Sequence, residues 1–163
     1  MFDDLLAANQ QYASHFRDAG LRGRAMRGLA VLTCIDSRID PLAMLGLEPG
    51  DAKILRNAGA RVTEDTLRGL ILATSLLGVN RICIVHHTDC AVSGVTEEDL
   101  RENVRRATGT DPSGINFLAA PLPYAAMKAD VATVRACPLI PATVQIGSFL
   151  YDVHTGTLTP TGY

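Results

Sequence analysis

The sequence predicts an α/β fold layered around a mostly parallel β-sheet. Two observations carry that expectation. Short apolar runs alternate with segments of helical periodicity along the chain, the pattern of strand–helix–strand units. Two of those runs end in reactive side chains: Cys34 follows Leu29-Ala30-Val31-Leu32-Thr33, and His87 and Cys90 follow Ile82-Cys83-Ile84-Val85. The carboxyl ends of strands are where open α/β sheets bind ligands.

Taken in order, Phe2 to Phe16 carries a broad apolar stripe of Phe2, Leu5, Leu6, Tyr12, Ala13 and Phe16, which predicts an amphipathic helix. Because it precedes the first strand, it is expected to pack on the outside of the domain or on a second subunit. Residues 17–28 place Arg17, Arg22, Arg24 and Arg27 among glycines; they read as a solvated loop, with an anion-steering patch as the alternative. Leu29 to Cys34 is the first strand. Ile39 to Leu47 reads as a short helix with Pro41 near its start, and Glu48-Pro49-Gly50-Asp51 is turn chemistry. Ala52 to Leu55 is a second strand, followed by a tight loop at Arg56-Asn57-Ala58-Gly59.

Thr63 to Leu77 is the clearest helix: Thr63 caps it, Glu64 and Asp65 suit its positive end, and Gly78 stops it. Arg81 to His86 or His87 is the third strand. Thr96 to Thr108 is a polar helix in which Thr96 and Asp99 form the pattern of a capping box. Residues 109–121 read as loop, Tyr124 to Ala136 as a helix, and Thr143 to Val153 as a strand or bent pair of strands. His154-Thr155-Gly156-Thr157 then turns the chain into a last short strand.

The 163 residues fit one domain, with residues 1–28 as an N-terminal helix and arm, and a hydrophobic content of 47% supplies a core. A net charge of −2 gives no electrostatic reason to bind nucleic acid or a membrane surface. No apolar stretch reaches the ~20 residues that span a bilayer. The acidic start Met1-Phe2-Asp3-Asp4 is not a secretion signal, so a cytoplasmic location is expected. In that compartment the four cysteines are thiols or metal ligands rather than disulfides.

Cys34, Asp36 and Arg38 fall at alternate positions, which at a strand's end point to one side. They bring a metal ligand, an acceptor and a permanent cation to one place. Cys34, His87 and Cys90 together make a Cys-His-Cys set of the kind zinc prefers, and three protein ligands leave the fourth position open, as in catalytic sites. Taken singly, Cys34 also reads as a buried thiol and His87 as a hydrogen-bonded core histidine. Cys83 lies inside its strand and Cys137 precedes Pro138, so both read as structural thiols. His86 should point opposite to His87, and His15 and His154 read as surface residues.

Cys34-Ile35-Asp36-Ser37-Arg38, Arg56-Asn57-Ala58-Gly59 and His87-Thr88-Asp89-Cys90, in that order, resemble the β-class carbonic anhydrases, in particular the smaller bacterial type. The resemblance implies a mostly parallel central sheet with an antiparallel edge strand and helices on both faces. It implies a zinc-dependent lyase (carbonate dehydratase) that interconverts carbon dioxide and bicarbonate through zinc-bound hydroxide. Cys34, His87 and Cys90 would hold Zn2+, and Asp36 and Arg38 would form the catalytic dyad beside it. The implied partner is a second copy of the chain, as a homodimer or dimer of dimers, with the N-terminal helix on the partner. One departure stands out: Ala91 follows the second zinc cysteine where the family usually has glycine.

Two thiolates and a neutral imidazole cancel the charge of zinc, so the site acidifies water less than a three-histidine site does. Arg38 then supplies a fixed cation, and Asp36 accepts the hydroxide's hydrogen. If the Asp36–Arg38 pairing broke, Asp36 would become a fourth zinc ligand and close the site; activity is then expected to rise toward alkaline pH. The competing expectations are a hydrolase of carbonyl sulfide or carbon disulfide on the same scaffold and a non-catalytic zinc-binding module. Deaminase, His-Glu-x-x-His, Walker, dinucleotide and nucleophile-elbow patterns are absent.

Overall fold

The computed structural model describes residues 1–163. Its strands are β1 (Leu29–Cys34), β2 (Ala52–Asn57), β3 (Arg81–His87), β4 (Gln145–Tyr151) and β5 (Leu158–Pro160), joined in one sheet in the order β2-β1-β3-β4-β5. The first four are parallel, and β5 runs antiparallel to β4 at the edge.

The apolar runs of β1 and β3 are continuous because both faces of these strands are covered. Ala30 and Leu32 of β1, with Ile82 and Ile84 of β3, meet Leu70 and Ala73 of α2 (Glu64–Leu76) and Val131 and Val134 of α4 (Pro123–Ala136). The intervening Val31, Cys83 and Val85 face the other way, onto Met44, Leu45, Ile54, Phe149 and Tyr151. Leu32 and Leu70 are fully buried, and each such side chain stabilises the fold by ~1.5–3 kcal/mol. Cys83 therefore serves the core, as its strand alternation predicts.

Local chemistry accounts for the helix ends. Thr63 accepts a hydrogen bond from the Thr66 amide to cap α2. Thr96 and Asp99 form a reciprocal capping box for α3 (Glu97–Thr108), which Gly109 ends at φ +71°. Pro123 opens α4, where its missing N–H costs nothing. Helix α1 (Asp3–Ser14) has no buried residue, and Phe2, Leu5, Leu6, Tyr12 and Phe16 are all exposed.

Two segments differ from expectation. The helix predicted over Ile39 to Leu47 is only a 3₁₀ turn at Ala43–Leu45. Asp40 accepts from the Leu42 and Ala43 amides to start it, and left-handed Gly46 at φ +60° ends it before a second turn can form. Strand β2 runs on to Asn57 rather than stopping at Leu55, because ladder pairing with β1 outweighs the turn preference of Asn57-Ala58-Gly59. That extension places Arg56 beside Thr33 and Asn57 beside Cys34.

The chain leaves β1 toward β2 on one side, then crosses to β3 on the other. The crevice at such a reversal lies beyond the carboxyl ends of β1 and β3. Thr33 pairs with Val85 across those strands, so Cys34 and His87 end up at the same rim.

Candidate metal centre

The structure brings Cys34, His87 and Cys90 together, their ligand atoms all within 4.8 Å of one another. The two sulfurs are 4.0 Å apart, and a tetrahedral zinc with ~2.3 Å bonds to sulfur spaces its sulfurs about 3.8 Å apart. His87 Nδ1 lies 2.8 Å from the Thr88 carbonyl, which can only accept, so Nδ1 carries the hydrogen. Nε2 is thereby left as a bare lone pair; it is buried and has no hydrogen-bond partner. A buried nitrogen without a partner, facing two thiols, is the donor chemistry that zinc satisfies.

The sulfurs are prepared electrostatically. The Cys34 thiol pKa is lowered by the hydrogen bond from Cys90, against its own burial, and by the Gly59 amide. That amide donates to Cys34 Sγ at 3.3 Å. The Cys90 thiol is raised, first by donating to Cys34 and then by burial. A divalent ion would stabilise both sulfurs as thiolates. Burial lowers the His87 pKa, but the Cys34 sulfur and the Thr88 carbonyl raise it more.

The loop that supplies the Gly59 amide is tied by Asn57. Its side chain donates to the Arg61 carbonyl at 2.7 Å and accepts from the Arg61 amide at 2.8 Å. Gly59 stands at φ +77°, and a Cβ there would meet Val92 Cγ2 at 2.6 Å, so only glycine lets the amide approach the sulfur.

Asp36 and Arg38 also meet, by a route that strand alternation does not describe. Strand β1 stops at Cys34, and the chain turns: the Asp36 carboxylate accepts the Arg38 amide at 2.9 Å, and its carbonyl accepts the Ile39 amide at 3.1 Å. The Arg38 guanidinium then grips the carboxylate with Nε at 3.0 Å and Nη2 at 2.7 Å. Those contacts hold the Asp36 carboxyl well below the usual carboxylate range. Its Oδ2 lies 4.0 Å from His87 Nε2, beside the ligand set.

The carbonic anhydrase family profile matches residues 29–110. β-Carbonic anhydrase 1 of Mycobacterium tuberculosis is 34% identical over 160 residues, covering 96% of this chain and 94% of that protein. The chain belongs to the β-carbonic anhydrase family. A carbonic anhydrase from Streptococcus mutans has the same fold at a TM-score of 0.91 and 36% identity, covering 99% of this chain and 97% of that one. A carbon disulfide hydrolase of Acidianus is also related, at 31% identity over 156 residues and 81% and 76% coverage.

Zinc is the cofactor of β-carbonic anhydrases, and the donor set here fits it. Ala91, the family departure, is exposed and does not adopt a positive φ, so the backbone has no need of glycine there. His86 points away from the cluster, with Nε2 3.4 Å from the carboxylate of Asp130 on α4. His15 is exposed and remote, whereas His154 is exposed yet sits 4.0 Å from Asp89.

Two residues inside the motif stretches take roles at the site that the sequence did not assign. Arg56 forms no salt bridge; it donates to the Cys34 carbonyl at 2.8 Å and to the Asp36 carbonyl at 2.7 Å, pinning the turn between them. Asp89 accepts from Arg38. The motif marked Arg56, but its two carbonyl partners follow only from the extension of β2 beside β1; no spacing pattern points to Asp89 as a partner of Arg38.

Proposed function

We propose that the protein catalyses the reversible hydration of carbon dioxide to bicarbonate. The observation that carries this reading is the Asp36–Arg38 pair locked beside the Cys34–His87–Cys90 set. Cys34, His87 and Cys90 would hold zinc, with Nε2 as the histidine donor. When bound, the ion supplies the Lewis acidity that makes water a nucleophile near neutral pH.

The chain's own groups do the rest. Asp36 is ionised throughout the physiological range and can only accept hydrogen bonds. It therefore accepts a hydrogen bond from the nucleophile and leaves the oxygen lone pair aimed at carbon dioxide. Arg38 keeps Asp36 ionised and placed, and it brings a fixed positive charge to the rim of the site. Arg56 holds the backbone on which both Cys34 and Asp36 are mounted.

Hydrolysis of carbonyl sulfide or carbon disulfide is the second reading, supported by the related carbon disulfide hydrolases. The fuller and slightly closer match to a β-carbonic anhydrase favours carbon dioxide. A non-catalytic zinc module has less support, since Asp36 is engaged by Arg38 instead of lying on the ligand set. The whole chain acts as one domain with residues 1–28 as an arm, and the exposed apolar side chains of α1 support pairing with a second copy. No helix is long and apolar enough to cross a membrane.

The test is zinc quantification with stopped-flow hydration of carbon dioxide, in parallel with hydrogen sulfide release from carbonyl sulfide and carbon disulfide. One zinc per chain and rapid bicarbonate formation are expected. Sulfide release without hydration would replace this reading with the second, and zinc-loaded protein inert toward all three would leave the module.

A further inference from the structure

Arg38 is held from two sides. Besides its grip on Asp36, it donates Nη1 to Asp89 Oδ2 at 2.7 Å and Nη2 to the Asp89 carbonyl at 3.0 Å. Asp89 sits at φ +54°, a left-handed conformation that few non-glycine residues adopt and that aspartate tolerates through its short polar side chain. From that backbone, both its carbonyl and its carboxylate reach one guanidinium. Arg38 makes ion pairs with Asp36 and Asp89 alone; the Asp89 carboxylate also has the His154 ring at 4.0 Å and the like charge of Asp36 nearby.

The second anchor has a mechanical consequence. The Arg38 side chain is 40% exposed. A single exposed ion pair on a long side chain is weak, because the chain regains rotamer freedom by letting go. When Arg38 lets go, Asp36 is released as well, and its Oδ2 is only 4.0 Å from His87 Nε2. A freed carboxylate at that distance has a short path onto a metal held by the three ligands.

We propose that Asp89 is a positioning residue: it latches Arg38, so that Arg38 holds Asp36 away from the Cys34–His87–Cys90 set and in its hydrogen-bond-accepting pose. The inference deepens the proposed hydration reading and rests on it for its functional meaning. The latch itself is independent of which substrate is turned over.

The experiment uses the full chain loaded with cobalt(II) and no substrate, read by its visible absorption at one near-neutral pH. Arg38→Ala gives the spectrum with Asp36 unrestrained, and Asp36→Ala gives the spectrum with no carboxylate available. Asp89→Asn removes the charge while suiting the same left-handed backbone. Its spectrum is expected to move from that of the wild type toward that of Arg38→Ala, by the several-fold population shift typical of one lost charge pair. The double variant Asp89→Asn/Asp36→Ala is expected to return to the Asp36→Ala spectrum. With carbon dioxide, Asp89→Asn should lower kcat more than it changes KM.

An Asp89→Asn spectrum identical to the wild type overturns the proposal. So does a change that persists in the double variant, which would mean general distortion of the site, or coincidence of the Arg38→Ala and Asp36→Ala spectra, which would mean that Asp36 never reaches the metal. If Asp89→Asn does not fold, Asp89→Gly, which is at ease in the same conformation, takes its place. Absence of carbon dioxide hydration by the wild type would remove the hydration reading, while the cobalt spectra would still decide the latch.

Discussion

Replacing Asp130 by alanine tests the tie between α4 and the rim of the site. Asp130 is 3% exposed. It accepts from Arg61 Nε at 2.7 Å and from the Val62 amide at 3.0 Å, with His86 Nε2 3.4 Å away. Arg61, whose side chain is 15% exposed, would then lie buried without a counter-charge, keeping only its bond to the Leu118 carbonyl. Breaking a buried pair by deleting one partner costs about 3–5 kcal/mol. In a chain of 163 residues each kcal/mol moves Tm by about 2–4 °C, so Asp130→Ala should lower Tm by about 6–20 °C.

The pH dependence has a defined sign. Burial alone would raise the Asp130 pKa, but His86, Arg61 and the Val62 amide together hold it below the ordinary value. A folded-state pKa that is depressed contributes stability that is complete above the unfolded value of ~3.9 and is lost as pH falls through the folded value. The part of the gap between wild type and Asp130→Ala that comes from the carboxylate should therefore be complete above about pH 5 and narrow below about pH 4. Thermal unfolding of the metal-free proteins at pH 7, 5 and 3.5, with Asp130→Asn as the shape-preserving control, is the assay. A loss under about 3 °C at pH 7, or a gap at pH 3.5 as wide as the gap at pH 5, would refute the reasoning.

Cys90→Ser and His87→Ala should each lose stoichiometric zinc by elemental analysis, whereas Asp36→Ala should keep zinc and lose about 100-fold in kcat, because it removes orientation and leaves the ligand set intact. Full zinc in Cys90→Ser would discard the ligand assignment. Arg56→Ala should retain zinc and fold yet lose about 10–100-fold in turnover, since the turn from Cys34 to Asp36 is released by a fraction of an ångström or more; unchanged kcat would show that the β1 ladder alone holds that turn.

Much of the molecule was legible in the order of residues. Strand runs, helix caps at Thr63 and Thr96, the stop at Gly109 and the zinc-type donors at Cys34, His87 and Cys90 all depend on a residue's own chemistry and that of neighbours a few positions away. The two misplaced boundaries mark where that locality fails. Three bonds from Asp40 and Gly46 confined the predicted helix near Met44 to one turn, and pairing with β1 carried β2 past its turn residues. Asp36 and Arg38 did converge, but through a turn closed by the Asp36 carboxylate, where alternation along a strand had been the expectation.

The sequence by itself determined the layered α/β architecture and the kind of ion it can hold, because periodicity and ligand softness are properties of short stretches. Only the tertiary structure decided how the site is braced. Arg38 meets Asp89 across 51 positions, Arg56 meets the Cys34 carbonyl across 22, and Arg61 meets Asp130 across 69. The direction of a long side chain toward so distant a partner is set by how strands and helices pack, and no local rule of spacing carries that information.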